Sequence, residues 1–275
     1  MPAAFRVAGF SMVISARCEG PMRLFSCDNC DQVVHFDNRQ CVRCGHRLGF
    51  LPHDLAMRAL EPLDGDGWHL AGRPDRQVGF CANAGQDICN WLIGEGDDGD
   101  FCLACRHNRL VPNTDTPDGV DRWRNIGQAQ RHLFYSLLRL NLPHPDRQQD
   151  PEGGLVFDFL EDTVQSDGNV VAATTGHEEG VIAIRAAEAD GATRELVRTS
   201  MNEPYRTLLG HFRHEAGQPH CRRMRASLAS TSPRWPSASL SFRYAVRIST
   251  CCMSSSAPSS RSMHVLFMRS ARSAR

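Results

Sequence analysis

Lysine is missing altogether from these 275 residues, and all 31 basic side chains are arginine. Lysine codons are rich in adenine, so the absence marks a very G+C-rich gene. Acid is missing from one region as well, because no Asp or Glu follows Glu215. Residues 1–220 hold 21 arginines against all 31 acidic residues, a net charge of −10, while residues 221–275 hold ten arginines and no acid, +10. The body of the chain therefore lacks the basic face that strong nucleic-acid binding needs. No run of 18 apolar residues occurs, so no transmembrane helix and no membrane partner are expected. A convincing secretion signal is also missing, since Arg6 and Arg17 bracket a short apolar stretch and Cys18-Glu19-Gly20 is a poor cleavage context. Translation from Met22 and a cytoplasmic location are the plainer expectations.

What the chain does have is cysteine, twelve in all. Cys-x-x-Cys pairs in a chain without a signal point to metal in a reducing compartment rather than to disulfides. Cys27-x2-Cys30 and Cys41-x2-Cys44 form two knuckles ten residues apart. Each knuckle puts two sulfurs on one side of a tight turn, and two facing knuckles give the tetrahedral thiolate set that zinc prefers. Gly45 suits the backbone required after the second pair. Redox disulfides and a rubredoxin-like iron site are the rival readings. Four thiolates leave no open position, so this zinc would be structural; His35 and His46 are read as exposed ribbon residues. Cys81, Cys89, Cys102 and Cys105 make a looser second set, with only Cys102-x2-Cys105 a regular knuckle. Asn83 and Gly85 would shape an irregular first loop, with a strand at Trp91-Leu92-Ile93 behind it. Here the rival reading is four buried or free thiols. Cys18, Cys221, Cys251 and Cys252 have no partners at ligand spacing.

Short strands are expected at Val33–Phe36 and Leu48–Leu51, each beside a cysteine pair. Residues 113–118 read as a linker and helix start, followed by an amphipathic helix from Val120 to about Leu142 in which Trp123, Ile126, Leu133, Phe134, Leu137 and Leu138 fall at helical spacing and which ends at Pro143. Leu155–Leu160 and Gly180–Arg185 read as strands, with a turn at Asp167-Gly168-Asn169. A last helix is expected from Pro204 to Gly217, with Leu208, Leu209 and Phe212 as its apolar stripe. Beyond His220, Ser and Arg dominate without periodicity, so a disordered tail is expected.

That last helix carries the candidate chemistry. In a His-Glu-x-x-His helix two imidazoles one turn apart hold zinc, and the glutamate polarises the zinc-bound water. His214 and Glu215 begin such a motif, but position 218 is glutamine, and His220, behind Pro219, cannot take the i+4 place. Alone, the pair reads as a surface His-Glu; His211 and His214, at i and i+3, could bind a metal or be solvated.

The order of double zinc ribbon, Cys89–Leu92, Phe101–Arg106, Thr175–Ile184, Ala187–Asp190 and Glu203–Glu215 resembles the zinc-binding metallopeptidases with an N-terminal zinc ribbon. The likeness covers about residues 22–217. It implies that His214 is the first zinc histidine and Glu215 the general base, acting on a peptide or protein substrate. It also implies Gly-His where this chain has Gly217-Gln218, and a third, acidic ligand in a downstream segment that residues 219–275 do not resemble. Two departures from one point suggest a frameshift near codon 218; the rival is a divergent, inactive homologue with a basic tail. The expected fold is α+β: tandem small zinc ribbons (22–112), a partial zincin-like domain (113–217) and a disordered Arg/Ser-rich tail (218–275). Two structural zinc ions and an incomplete catalytic site are expected. In the partial domain the Pro204 helix and the two strands would expose apolar faces that a missing second half should cover. The alternative function is a ribbon module that binds a protein or nucleic acid.

Overall fold

The computed structural model describes residues 24–64, 67–203 and 206–217, together with the backbone of β1 (Phe5–Val7) and β2 (Phe10–Met12), an antiparallel pair. The expected start at Met22, Gln218 and the tail lie outside the described residues.

The first cysteine pair sits at the turn between β3 (Phe25–Ser26) and β4 (Val33–Val34), which pair Phe25 with Val34. After the second pair the chain enters a meander of β5 (Arg47–Leu51), β6 (Ala56–Pro62), β7 (Trp68–Leu70), β8 (Arg73–Phe80) and β9 (Leu92–Gly94). Its apolar side holds Leu51, Leu60, Leu70, Val78 and Leu92, with Trp68 and Phe80 packed against them. A parallel bridge between Phe50 and Trp91 brings the first and last strands together. Gly49 permits that approach, because a Cβ there would lie 2.5 Å from Leu92 Cδ2.

Helix α1 (Pro117–Arg139) starts as the sequence signals it would. Thr116 caps it by accepting a hydrogen bond from Gly119 N at 3.1 Å, and proline occupies the first turn. The helix stops at Arg139, before Pro143, where Asn141 takes a left-handed conformation (φ 49°). Trp123, Ile126, Leu133, Phe134 and Leu137 are buried as expected. Gln130 and Arg131 are buried on the same helix.

A second sheet has the order β10 (Asn108–Leu110), β11 (Val156–Leu160), β15 (Val181–Arg185), β14 (Gly176–Glu178). The first three strands run parallel and β14 is an antiparallel edge. The central β11 reads Val-Phe-Asp-Phe-Leu and is almost wholly buried, as a covered parallel strand should be. β12 (Thr163–Val164) and β13 (Val170–Val171) form a hairpin around the turn expected at Asp167-Gly168-Asn169. Helix α2 (Gly191–Ser200) buries none of its residues, and α3 spans residues 208–217. The expected start of α3 at Pro204 is too early, since residues 206 and 207 are not helical.

Phe157 and Phe159, two apart on β11, point to one face. Phe134 and Trp123 of α1 meet them at ring distances of 6.0 and 5.5 Å, and Phe212 of α3 at 5.6 and 6.0 Å. Both helices therefore lie on the same side of the sheet. Phe212 is fully buried there and Leu208 is 7% exposed. Two of the three residues of the α3 stripe are thus covered, contrary to the expectation that it would stand exposed, while Leu209 is half-buried. The described residues fall within one packed unit, and an aromatic cluster of Phe25, Phe36, Phe50, Trp91 and Tyr135 joins the cysteine-rich part to α1.

Candidate metal centres and the histidine–glutamate site on α3

In the first knuckle Cys27 O accepts from Asp31 N, and in the second Cys41 O accepts from Gly45 N at 2.9 Å. Gly45 has φ +75°, the conformation its sequence position called for, and Asp31 (φ 59°) takes the matching place in the first turn. The two turns face each other, with Cys27 Sγ 3.6 Å from Cys44 Sγ and Cys30 Sγ 3.6 Å from Cys41 Sγ. A disulfide needs about 2.05 Å. A tetrahedron built on zinc–sulfur bonds of about 2.3 Å sets its sulfurs roughly 3.8 Å apart, so the spacing fits zinc. Among the thiols themselves charge is shared unevenly: the His46 backbone N–H holds Cys44 down to about 5, and burial pushes Cys27 up to about 12. A dication bound by all four would ionise each of them. Asp28 pins this knuckle to the meander by accepting from Ala59 N at 2.6 Å. His35 is exposed as expected; His46 is instead half-buried beside Cys44, turned to Asn29 and Glu61, and neither belongs to the cluster of potential ligands, which is the four cysteines.

The second set is drawn from farther apart and is buried throughout. Cys81 directly follows β8, and a 3-10 turn, Ala82–Ala84, leads into the irregular loop. Asn83 shapes that loop as expected, through its carbonyl, which accepts from both Ile88 N and Cys89 N at 3.2 Å. Gly85 has an ordinary right-handed conformation and is not required for its backbone. Cys89 Sγ lies 3.7 Å from Cys102 Sγ and accepts from Trp91 N at 3.4 Å. Burial opposes ionisation of Cys89, but the three neighbouring thiols and the Arg131 guanidinium hold it well below the usual thiol range. Four donors of this type, buried and mutually close, suit a structural zinc with no open position. Among the described residues these two sets are the groups of three or more potential ligands close enough to share one ion.

On α3 the side chains of His214 and Glu215 part company. His214 is 64% exposed, whereas Glu215 is 14% exposed and faces the edge strand β14. There His177 Nδ1 lies 3.3 Å from Glu215 Oε2, within hydrogen-bond reach. His214 Nε2 is 4.0 Å from Glu215 Oε1. His211 is turned toward Glu188. Its Nδ1 sits 2.6 Å from Glu188 Oε2, an ion-pair distance without hydrogen-bond alignment. Glu188 is buried, accepts from Thr175 Oγ1 at 2.8 Å, and meets Arg206 Nη2 at 3.3 Å. Burial alone would raise its pKa, but His211, Thr175 and Arg206 outweigh that and hold it below the usual glutamate range. Sequence reasoning assigned no role to His177 or Glu188. Both lie in stretches that the resemblance singled out, Thr175–Ile184 and Ala187–Asp190; the buried alanines on either side of Glu188 were a usable signal, whereas His177, between Gly176 and Glu178, had none.

Residues 24–116 match a zinc-ribbon domain, and residues 119–232 match the family described as "Putative zinc-binding metallo-peptidase". The second match runs past Gln218. Uncharacterized proteins of Mycobacterium bovis and of Mycobacterium tuberculosis are each 38% identical over 206 residues, covering 75% of this chain and 55% of their own length. The chain thus spans about half the length of these curated relatives. No solved structure matches.

Proposed function

We propose that this chain, which joins a zinc-ribbon domain to a domain of the zinc-binding metallo-peptidase family, is a two-zinc structural member of that family without its hydrolytic activity. The observation that carries the proposal is the state of α3. Its His214-Glu215 pair begins the zinc-binding helix motif, but Gln218 stands where the second imidazole belongs, and a carboxamide is a poor zinc ligand. In a complete site, zinc would supply a polarised water or a Lewis acid for a peptide carbonyl. Of this chain's own residues, Glu215 would take the proton, because it is mostly buried and its second carboxylate oxygen, Oε1, is not shared with His177. His214 would offer one imidazole from the solvent side of the helix. One imidazole does not make a catalytic zinc site, and so Glu215 has no activated water to deprotonate.

The experiment is a peptidase assay of the purified, zinc-loaded chain on casein and on a peptide library. The expected result is no cleavage above that of Glu215→Ala. Cleavage that disappears in Glu215→Ala would overturn the proposal. A freely presented ribbon that recruits a protein or nucleic acid is a weaker reading, because Phe25, Phe36 and Phe50 pack against Tyr135 of α1.

A further inference from the structure

One face of α1 is built into the second cysteine set. Gly127, Gln130 and Arg131 occupy positions i, i+3 and i+4, which share a side of a helix. Gln130 Nε2 donates to Ala104 O at 3.4 Å, inside the Cys102–Cys105 knuckle. Arg131 Nη1 donates to Ile88 O, the carbonyl directly before Cys89. Gly127 lets the helix come this close, because a Cβ there would lie 3.0 Å from Ile88 Cγ2 and 3.2 Å from Ile88 O. Phe134, one turn further, packs on His107 with ring centroids 4.7 Å apart, just beyond Cys105. Both ligand loops are therefore gripped by one helix that belongs to the peptidase-family match.

Arg131 is unusual among these contacts because it is a charge, and only 4% of its side chain is exposed. A zinc ion with four thiolates carries a net charge of −2, and such a dianion is costly in a buried place without a compensating cation. The carboxylate facing Arg131 is Asp37, whose Oδ1 is 3.6 Å from Nη2. Asp37 is already engaged by His132 Nε2 and Gln128 Nε2, each at 2.9 Å from its Oδ2. Arg131 Nε is buried with no hydrogen-bond partner among the described residues. Arg39, which donates to Asp87 O from the other side of the loop, is more exposed and is paired with Asp87.

We propose that Arg131 is a positioning and charge-compensating residue of the second zinc site. That site is then shared between the ribbon and α1, so that zinc binding and docking of the ribbon on α1 are one event. This rests on the reading of Cys81, Cys89, Cys102 and Cys105 as a zinc site. Outer partners of this kind change metal affinity by about 10–100-fold when removed.

The test follows zinc release from the zinc-loaded full chain into a chromogenic chelator. The phases are assigned with Cys27→Ser, which leaves only the second site. Arg131→Met should speed release from the second site by about 10–100-fold and leave the first site unchanged. Arg131→Lys, which keeps the charge, should restore most of the difference. Unchanged release from the second site in Arg131→Met, or a lysine variant as fast as the methionine one, would overturn the inference. If Arg131→Met does not fold, Arg131→Lys decides alone: release near that of the wild type supports it, and release tenfold faster or more refutes it. A wild-type chain holding no zinc at the second site would instead sink the reading of the site itself, and the inference with it.

Discussion

Replacing Glu188 by alanine should loosen α3 more than any other polar substitution in the domain. The carboxylate is 7% exposed and holds Thr175, Arg206 and His211, so it ties the approach to β14 to both the lead-in and the body of α3. Removing one member of a buried ion pair costs about 3–5 kcal/mol, because the partner is left buried and uncompensated. Arg206 is 10% exposed but keeps a second carboxylate, Glu203, at 3.0 Å, and His211 is partly exposed. These place Glu188→Ala at the lower end, about 3 kcal/mol. Glu188→Gln keeps the Thr175 hydrogen bond and should cost about 1–2 kcal/mol. Urea unfolding of the zinc-loaded chain at pH 7.5 measures both. Because the folded pKa of Glu188 is depressed, its contribution is fully present above the unfolded value of about 4.3 and is lost as pH falls through the lower folded value. The cost of Glu188→Gln should therefore shrink once the solution is acid enough to protonate the Glu188 carboxylate. A cost for Glu188→Ala below about 0.5 kcal/mol, the range of ordinary surface changes, would refute this account.

Cys27→Ser should remove one zinc ion and unfold the β3–β4 knuckle, seen as loss of the Val33 and Val34 amide protection, because metal binding supplies much of a ribbon's folding energy. Phe212→Ala should cost about 3–5 kcal/mol in the same urea assay, since a fully buried ring between Phe157 and Phe159 is deleted. Thr116→Ala should cost about 1 kcal/mol through the lost cap on Gly119 N, with hydrogen exchange rising in the first turn of α1.

The elements that the sequence announced are those with local signals. The knuckles at Cys27 and Cys41, the capped helix α1 and the apolar strands β11 and β15 all carry their pattern within a few residues. The meander was largely hidden, because β8 reads Arg-Pro-Asp-Arg-Gln-Val-Gly-Phe and is mostly exposed, with only Val78 buried. Helix α2 buries nothing, so it has no apolar stripe to find. At the candidate sites the eight cysteine ligands were legible from spacing, although nothing local could show that Cys81 and Cys89 meet the Cys102 knuckle. The pairings of His177 with Glu215, Glu188 with His211, and Arg131 with the Ile88 carbonyl join residues 23 to 43 positions apart. Such contacts leave no periodic trace in a sequence.

Native mass spectrometry of the intact chain tests the central claim most directly, because it counts the ions and identifies them by mass. The account predicts two zinc ions per chain, one lost with Cys27→Ser and the other with Cys102→Ser, and no change in the count with His214→Ala. Iron in place of zinc, or fewer than two ions, would contradict the paired four-cysteine sites. A third zinc that disappears with His214→Ala would contradict the incomplete site on α3.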